Sequence, residues 1–227
     1  PGQFATPFNF STLAIDASIL LVIAVGQAFV IMSAGVDLSV GSVLVFSSVV
    51  GGMTMLALSD ENSTTYGQTN AGWAVVATGL VVSVAAGTAW GLLNGFLIAR
   101  AGIPALIVTL GTMGMALGAA QILTNGQDVR AVPELLVTWV GAGDVGCIPI
   151  LVLIAIVIAV IAGIALRFTR FGTWTLATGS NAEAARRSGV PVRSQLLKVY
   201  AISGALAGLA GMMSIARFST TTIAGHT

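Results

Sequence analysis

The sequence predicts an all-α integral membrane protein, a polytopic helical bundle with about six membrane spans. Hydrophobic residues make up 56% of the 227 residues and charged residues only 7%, against about 25% charged residues in a soluble domain. Several apolar runs reach about 20 residues, the length at which an α-helix crosses about 30 Å of hydrocarbon. Ten-residue segments of alternating polarity, which would indicate a membrane β-barrel, are absent from the sequence.

The apolar runs and the turn signals between them place the spans. The segment before Ile15 is mixed and polar, so we expect an interfacial approach to the first span. Asp16 would then stand at the start of that span and complement the positive end of the helix dipole. The predicted spans are residues 15–34, the segment from the turn at 35–42 to 58, 73–99, 104–124, 148–166 and 199–216.

Local signals predict how neighbouring spans are joined. Gly35 is expected to end the first span, and Asp37 or Ser39 to cap the second. Gly102 is expected to close the third span, with Pro104 opening the fourth at its first turn.

Glycines recur at four-residue spacing on three of the spans, a pattern typical of helices that approach one another closely in membranes. These glycines are Gly87, Gly91 and Gly95, then Gly114 and Gly118, then Gly204 and Gly208.

Basic residues are concentrated on one side of the predicted bundle. If the spans alternate, Arg100 and the six basic residues of segment 167–198 share one side, which then carries seven of the nine Lys and Arg residues. The positive-inside rule makes this side cytoplasmic. Arg130 and most of the acids fall on the opposite side. Arg217 falls there too, and we expect it to face lipid headgroups or a water-filled cavity.

Segment 167–198 is predicted to be a cytoplasmic loop containing a short helix of about two turns. Ser180 and Glu183 fit the S-x-x-E capping box. Gly189 offers a left-handed stop, and Pro191 prevents continuation. We interpret this helix as a handle for another protein, the alternative being a capped surface turn that joins two spans. The residues expected to couple to a partner are Ser180, Asn181, Glu183, Ala184, Ala185, Arg186 and Gly189.

The sequence offers little catalytic or metal chemistry. A single cysteine, Cys147, and a single histidine, His226, exclude an internal disulfide and a His/Cys metal cluster. The chain lacks the G-x-x-x-x-G-K-[ST] loop that cradles nucleotide phosphates, so we expect no cofactor on it and any ATP with its Mg²⁺ on a partner. Without a nucleophile–base pair an enzyme is not predicted, nor is nucleic-acid binding.

Three segments, in order along the chain, carry a family resemblance. AGVDLSVGSVLVF (34–46) resembles the GIDLSVGS-type signature of ribose-class sugar permeases of ATP-binding-cassette (ABC) importers. NGFLIARAGIPALIVTLGTM (94–113) is similar to the run from NG to TLGTM in that family. The stretches at 179–190 and 196–217 resemble its cytoplasmic loop and the following helix. Since the family has further helices before and after these segments, residues 1–227 are expected to be a single transmembrane domain, a fragment of a longer permease.

The resemblance implies a bacterial cytoplasmic-membrane protein that contacts lipid and passes a small sugar, such as ribose, inward by alternating access. It implies three kinds of partner: a second permease subunit in a homodimer, cytoplasmic ATP-binding subunits, and an extracytoplasmic sugar-binding protein. The helix within 167–198 would then be the coupling helix. An ion-coupled secondary transporter that uses Asp37 is the alternative.

Polar residues within the spans are candidates for the sugar pathway, because neutral hydrogen-bonding groups suit a neutral polyol. These candidates are Gln27, Asp37, Ser39, Asn94, Thr109 and Thr112. Hydrogen bonding between helices is the alternative role for the neutral residues. For Asp37, an intramembrane carboxylate, the alternatives are capping of the second span and a functional role.

Overall fold

The computed structural model describes residues 6–59, 64–65, 68–130 and 132–221. Its described part contains six helices that are long and apolar enough to cross a membrane, which confirms the predicted fold class. They are α1 Pro7–Met32, α2 Val40–Ala57, α3 Trp73–Ala99, α4 Ala105–Thr124, α5 Ile150–Phe168 and α8 Val192–Phe218. Two shorter helices, α6 Arg170–Ser180 and α7 Ala182–Arg187, connect α5 to α8. The acids Asp60 and Glu61 and the histidine His226 lie outside the described residues.

Short strands join the spans on the side opposite α6 and α7. In one sheet, β1 Thr64–Thr65 pairs antiparallel with β2 Gln68–Thr69, which pairs parallel with β3 Val132–Pro133. In the other, β4 Asp144–Val145 pairs antiparallel with β5 Ile148–Pro149. A π-helix, Leu136–Gly141, lies between the two sheets and packs on the end of α8, where a Cβ added to Gly141 would lie 1.9 Å from the carbonyl oxygen of Ala216.

The backbones of α3 and α8 are in direct contact along their glycine faces. A Cβ added to Gly87 would lie 2.2 Å from the carbonyl oxygen of Gly204, and one added to Gly91 would lie 2.2 Å from that of Tyr200. Ser83 also donates from Oγ to the carbonyl of Gly208 at 2.8 Å. The glycine spacing therefore predicted the packing of α3 and α8 correctly, and α8, which also contacts α1 and α2, is the central helix of the bundle.

The same spacing on α4 does not mark a contact. A Cβ added to Gly114 or Gly118 would have no neighbour within 4 Å in the described part of the chain. Helix α4 instead buries Thr112, Ala116 and Ala120 and packs mainly on α2. Four-residue spacing establishes that glycines share a helix face but not that another helix covers that face.

The start of α1 and the role of Asp16 differ from the prediction. Helix α1 begins eight residues before Ile15, because Thr6 accepts the backbone N–H of Asn9 at 3.2 Å and Pro7 occupies the first turn. Asp16 is therefore inside the helix. Its Oδ1 accepts from Nε of Arg217 at 3.1 Å, which joins α1 to the last turn of α8 and gives Arg217 a partner within the bundle.

The turn between α1 and α2 uses its residues differently from the prediction. Ala34, not Gly35, adopts the left-handed conformation, with φ of 59°. Gly35 is required for space, since a Cβ there would lie 2.7 Å from the hydroxyl oxygen of Tyr200. In the α3–α4 turn, Gly102 has the expected positive φ of 71°, whereas Pro104 is the N-cap of α4 rather than its first residue.

Segment 167–198 is largely helical rather than a loop with one short helix. Helix α5 covers 150–168 rather than 148–166, and α8 begins at Val192, seven residues before the predicted start of the sixth span. The sequence did not predict α6, because its Gly and Thr residues are weak helix formers. Tertiary contacts stabilise it: Gly172 lies against the backbone of Leu166, and Gly179 against that of Met32.

We predict that a single methyl group at the α3–α8 contact destabilises the bundle. Gly91→Ala should lower the free energy of unfolding by about 1–3 kcal/mol, since the backbones must separate to admit the new Cβ. The matched control Gly118→Ala, on open α4, should leave stability unchanged or raise it by up to about 1 kcal/mol. Thermal unfolding in detergent measures both, and equal melting temperatures for the two variants would contradict the contact.

We predict that the basic side of the bundle faces the cytoplasm. The native Cys147 is exposed between β4 and β5, so a membrane-impermeant maleimide should label it in intact cells. In a Cys147→Ser background, a Ser180→Cys variant should react only after the cells are permeabilised. Labelling in the reverse order would invert the orientation.

Candidate functional site

Three of the predicted pathway residues meet in one buried polar cluster. Ser39 donates to Oδ1 of Asp37 from its backbone N–H at 3.0 Å and from Oγ at 2.6 Å. Nδ2 of Asn94 donates to Oγ of Ser39 at 2.8 Å. The side chains come from the α1–α2 turn and from α3, so α3 is hydrogen-bonded to the turn that joins the first two spans.

Helix α8 completes this cluster with two residues that the sequence analysis missed. Ser203 donates from Oγ to Oδ2 of Asp37 at 3.3 Å, and Tyr200 donates from its hydroxyl to the carbonyl of Val36 at 3.2 Å. The available signal was a serine immediately before Gly204 on an otherwise apolar packing face. We call Asp37, Ser39, Asn94, Tyr200 and Ser203 the buried polar cluster.

The cluster lies within the bundle and not at its surface. Asn94 precedes the last residue of α3 by five positions, about 8 Å along the helix, and Ser203 follows the first residue of α8 by eleven, about 16 Å. All five members are buried. The Asp37 carboxylate accepts three hydrogen bonds there, which offsets the cost of removing it from water. Oδ1 of Asn94, however, has no protein partner among the described residues.

The other pathway candidates lie apart from this cluster. Thr109 and Thr112 donate to carbonyls of their own helix, those of Ala105 and Thr109, at 2.9 and 3.3 Å. Gln27 is half-buried on α1, and its amide nitrogen is buried without a partner in the described part of the chain. Within the described part of the chain, none of these three forms a hydrogen bond between helices, and of the six candidates the structure brings together Asp37, Ser39 and Asn94.

The predicted coupling residues lie on α7 or close to its two ends, but its cap differs from the predicted capping box. Asn181, not Ser180, is the N-cap, and its Oδ1 accepts the backbone N–H of Ala184 at 2.9 Å. Ser180 is the last residue of α6. Glu183 does not complete a capping box; it pairs with Arg186 at 2.7 Å and with Arg187 at 3.0 Å. One helix ends where the next begins, so the preceding serine is unavailable as a cap.

The end of α7 agrees with the prediction. Gly189 has φ of +87°. Its N–H donates to the carbonyl of Arg186 at 3.1 Å, and that of Val190 donates to the carbonyl of Ala185 at 3.0 Å. These two bonds form a Schellman motif, which fixes the direction in which the chain leaves α7 toward α8.

The charges of α7 suit an exposed helix. Glu183 is in its first turn and the two arginines are in its last, which complements the helix dipole. Hydrogen bonds from Arg186 and then Arg187 lower the pKa of Glu183 below its ordinary value. The stabilisation from these pairs is therefore present above the ordinary pKa of the carboxyl and is lost as the pH falls through the lowered value. At neutral pH the pairs are formed.

Helix α7 is attached to the spans through α6. Ala185 is the buried residue of α7. Gln195 in the first turn of α8 donates from Nε2 to Oγ1 of Thr175 at 2.8 Å and to the carbonyl of Phe171 at 3.0 Å. The ring of Phe171 lies 5.6 Å from that of Phe29 on α1. Helix α6 is thus fastened to both α1 and α8.

The contact between α6 and α1 reaches the turn that carries Asp37. A Cβ on Gly179 would lie 2.0 Å from the carbonyl oxygen of Met32 and 3.2 Å from the backbone nitrogen of Ala34. Gly179 is three residues before Ala182, where α7 begins. A displacement of α7 would therefore act on the α1–α2 turn through a direct backbone contact.

Comparisons with known proteins agree with this architecture. A family model described as "Branched-chain amino acid transport system / permease component" matches residues 9–226. The chain is 31% identical to a D-allose transport system permease protein of Escherichia coli K12 over 96% of this chain and 62% of the relative. It is 38% identical to an L-arabinose ABC transporter permease protein of Azospirillum brasilense over 96% and 59%. A ribose import permease protein of Escherichia coli K12 is 32% identical over 96% and 64%.

These relatives confirm the resemblance to sugar importer permeases. The chain spans about three fifths of the length of the curated relatives it matches. No solved structure matches it significantly. With six apolar helices and permease relatives, the protein is a multi-pass component of the bacterial inner membrane. Because the family model covers nearly the whole chain, the protein belongs to the family of branched-chain amino acid transport system permease components.

Proposed function

We propose that this chain forms part of the membrane-spanning permease subunit of an ABC importer that passes a monosaccharide inward. The relatives at 31–38% identity are named for D-allose, L-arabinose and ribose, and another at 34% is named for fructose. These names share the monosaccharide class and differ in the sugar, so they do not favour ribose over the others.

The observation that carries the proposal is the continuous contact from exposed α7 to the buried polar cluster. Helix α7 is exposed apart from Ala185. It continues from α6, whose Gly179 touches the backbone of the α1–α2 turn. That turn holds Asp37, which is bonded to α8 through Ser203. A movement of α7 would therefore be transmitted, through the backbone contact of Gly179, to the turn between α1 and α2.

The mechanism that follows is mechanical coupling. ATP and Mg²⁺ bind to a cytoplasmic partner, and closure of its nucleotide domains moves α7 and α6 together. The glycine contact of α3 with α8 keeps those helices as one body, so the motion is expressed as a tilt of α1 and α2 against them. Release and re-formation of the two hydrogen bonds that join the α1–α2 turn to α3 and α8, from Asn94 to Ser39 and from Ser203 to Asp37, accompany that tilt.

The proposal includes three partners outside this chain: cytoplasmic ATP-binding subunits, an extracytoplasmic sugar-binding protein, and a second copy of the permease. Neutral polar groups at the buried polar cluster suit a neutral polyol, among them Oδ1 of Asn94, which has no partner among the described residues. Asp37 is held by three hydrogen bonds, which supports a structural role for it rather than the binding of a coupling ion.

Uptake in proteoliposomes tests the proposed function. The full-length permease, reconstituted with its ATP-binding subunits and sugar-binding protein, should accumulate a labelled monosaccharide only when ATP is supplied. Collapse of the proton and sodium gradients should leave the uptake unchanged. Accumulation that follows an ion gradient without ATP would contradict the proposal and favour ion coupling through Asp37.

Variants of α7 test the coupling step. Gly189→Val forces a β-branched residue into the left-handed conformation, and Glu183→Lys removes both ion pairs. Each variant should insert normally but lose most of the sugar-stimulated part of ATP hydrolysis in the assembled complex.

Matched controls come from the opposite side of the membrane. Gly146→Val imposes the same strain, since Gly146 has φ of +71°, and Glu134→Lys makes the same change of charge at an exposed residue. Both controls should keep stimulated hydrolysis near the wild-type level. Equal stimulation in the α7 variants and the controls would count against a coupling role for α7.

A further inference from the structure

A cleft beside α7 brings together arginines from three separate elements. Arg100 is the C-cap of α3, Arg186 lies on α7, and Arg193 is the second residue of α8. The cleft has a volume of about 520 Å³, within the range of small-molecule sites. From this arrangement of arginines we infer that the cleft binds the phosphate of an anionic membrane lipid, with Arg100 and Arg193 as the principal residues that contact it. We call it the arginine cleft.

Two of the three arginines of the arginine cleft, Arg100 and Arg193, have no ion-pair partner among the described residues, whereas Arg186 is paired with Glu183. Glu183 is the exposed acid on this side of the described chain, and its two oxygens already accept from Arg186 and Arg187. No ion pair involves Arg100 or Arg193 among the described residues. Both arginines are exposed, so their guanidinium groups are free to form the paired hydrogen bonds that phosphate oxygens accept.

The remaining walls of the arginine cleft fit a lipid better than a free ion. Ser194 adds a hydroxyl, whereas Val190, Pro191 and Val192 form an apolar wall against which glycerol and the first acyl carbons can lie. Helix α8 also begins at the cleft, and its N-terminus has no side-chain cap. The partial positive charge of that N-terminus favours an anion.

The position of the arginine cleft favours a lipid of the leaflet on the basic side. Arg100 directly follows α3, and Arg193 is the second residue of α8, so both arginines stand at the basic-side ends of helices that are long and apolar enough to cross a membrane. Each basic residue near an anionic membrane surface contributes about 1 kcal/mol of attraction. Two such residues in one cleft would hold a lipid beside α7, the element proposed to transmit force.

Lipid titration of the delipidated full-length permease, followed by native mass spectrometry, tests this site directly. Phosphatidylglycerol should bind more tightly than phosphatidylethanolamine of the same acyl chains. Arg100→Gln and Arg193→Gln should each weaken phosphatidylglycerol binding by about five-fold. Arg170→Gln, which removes an exposed charge on the same side but outside the cleft, should change the affinity less than two-fold.

A second variant and a competitor separate the possible outcomes. Arg193→Lys keeps the charge but not the paired hydrogen bonds, so its affinity should fall between wild type and Arg193→Gln. Glycerol phosphate at millimolar concentration should not displace the lipid. Displacement would indicate a free-anion site, and an equal loss in Arg170→Gln would indicate general attraction; either result would overturn the proposal.

The lipid measurement is independent of sugar transport, because it needs neither ATP nor a partner subunit. Failure of monosaccharide uptake would leave it unaffected. If Arg100→Gln reduced stimulated ATP hydrolysis while lipid affinity stayed at the wild-type value, the arginines would serve a protein partner instead, and the lipid site would be wrong.

Discussion

The backbone contact between α3 and α8 is the constraint on which the rest of the structure depends. Lipid tails are as apolar as leucine, so helices in a membrane gain little from burying apolar surface and must gain from close packing. Gly87 and Gly91 on α3 meet Gly204 and Tyr200 on α8 with no room for a further methyl group. This contact places Asn94 and Ser203 where both can reach the α1–α2 turn.

The buried carboxylate of Asp37 accepts hydrogen bonds from its own turn and from α8. The two bonds from Ser39 are local, since Ser39 is two residues from Asp37, whereas Ser203 comes from a helix 166 residues away. The complete set of hydrogen bonds in the buried polar cluster therefore forms only when α3 and α8 are packed against the α1–α2 turn. A change in that arrangement must break some of these bonds, which makes the cluster a natural point at which two states of the bundle differ.

Helices α6 and α7 differ in whether local sequence signals could predict them. The exposed helix with its left-handed end at Gly189 followed from local signals, since a positive φ and the bonds of a Schellman motif involve only nearby residues. Helix α6 did not, because its stability comes from Gly172, Gly179 and the hydrogen bonds of Gln195 to residues 20 and 24 positions away. Because α6 was not predicted, the cap of α7 was predicted at Ser180, whereas the structure has it at Asn181.

By itself the sequence determined the membrane class, the approximate spans, the concentration of basic residues on one side and the family, because hydropathy, charge and local motifs are properties of neighbouring residues. Only the tertiary structure decided which glycine faces are covered, that Asp16 pairs with Arg217, and that Ser203 completes the site of Asp37. Each of these depends on the relative position of helices far apart in the chain. A helix carries the same side chains whether its face meets another helix or lipid, so its own residues cannot distinguish the two.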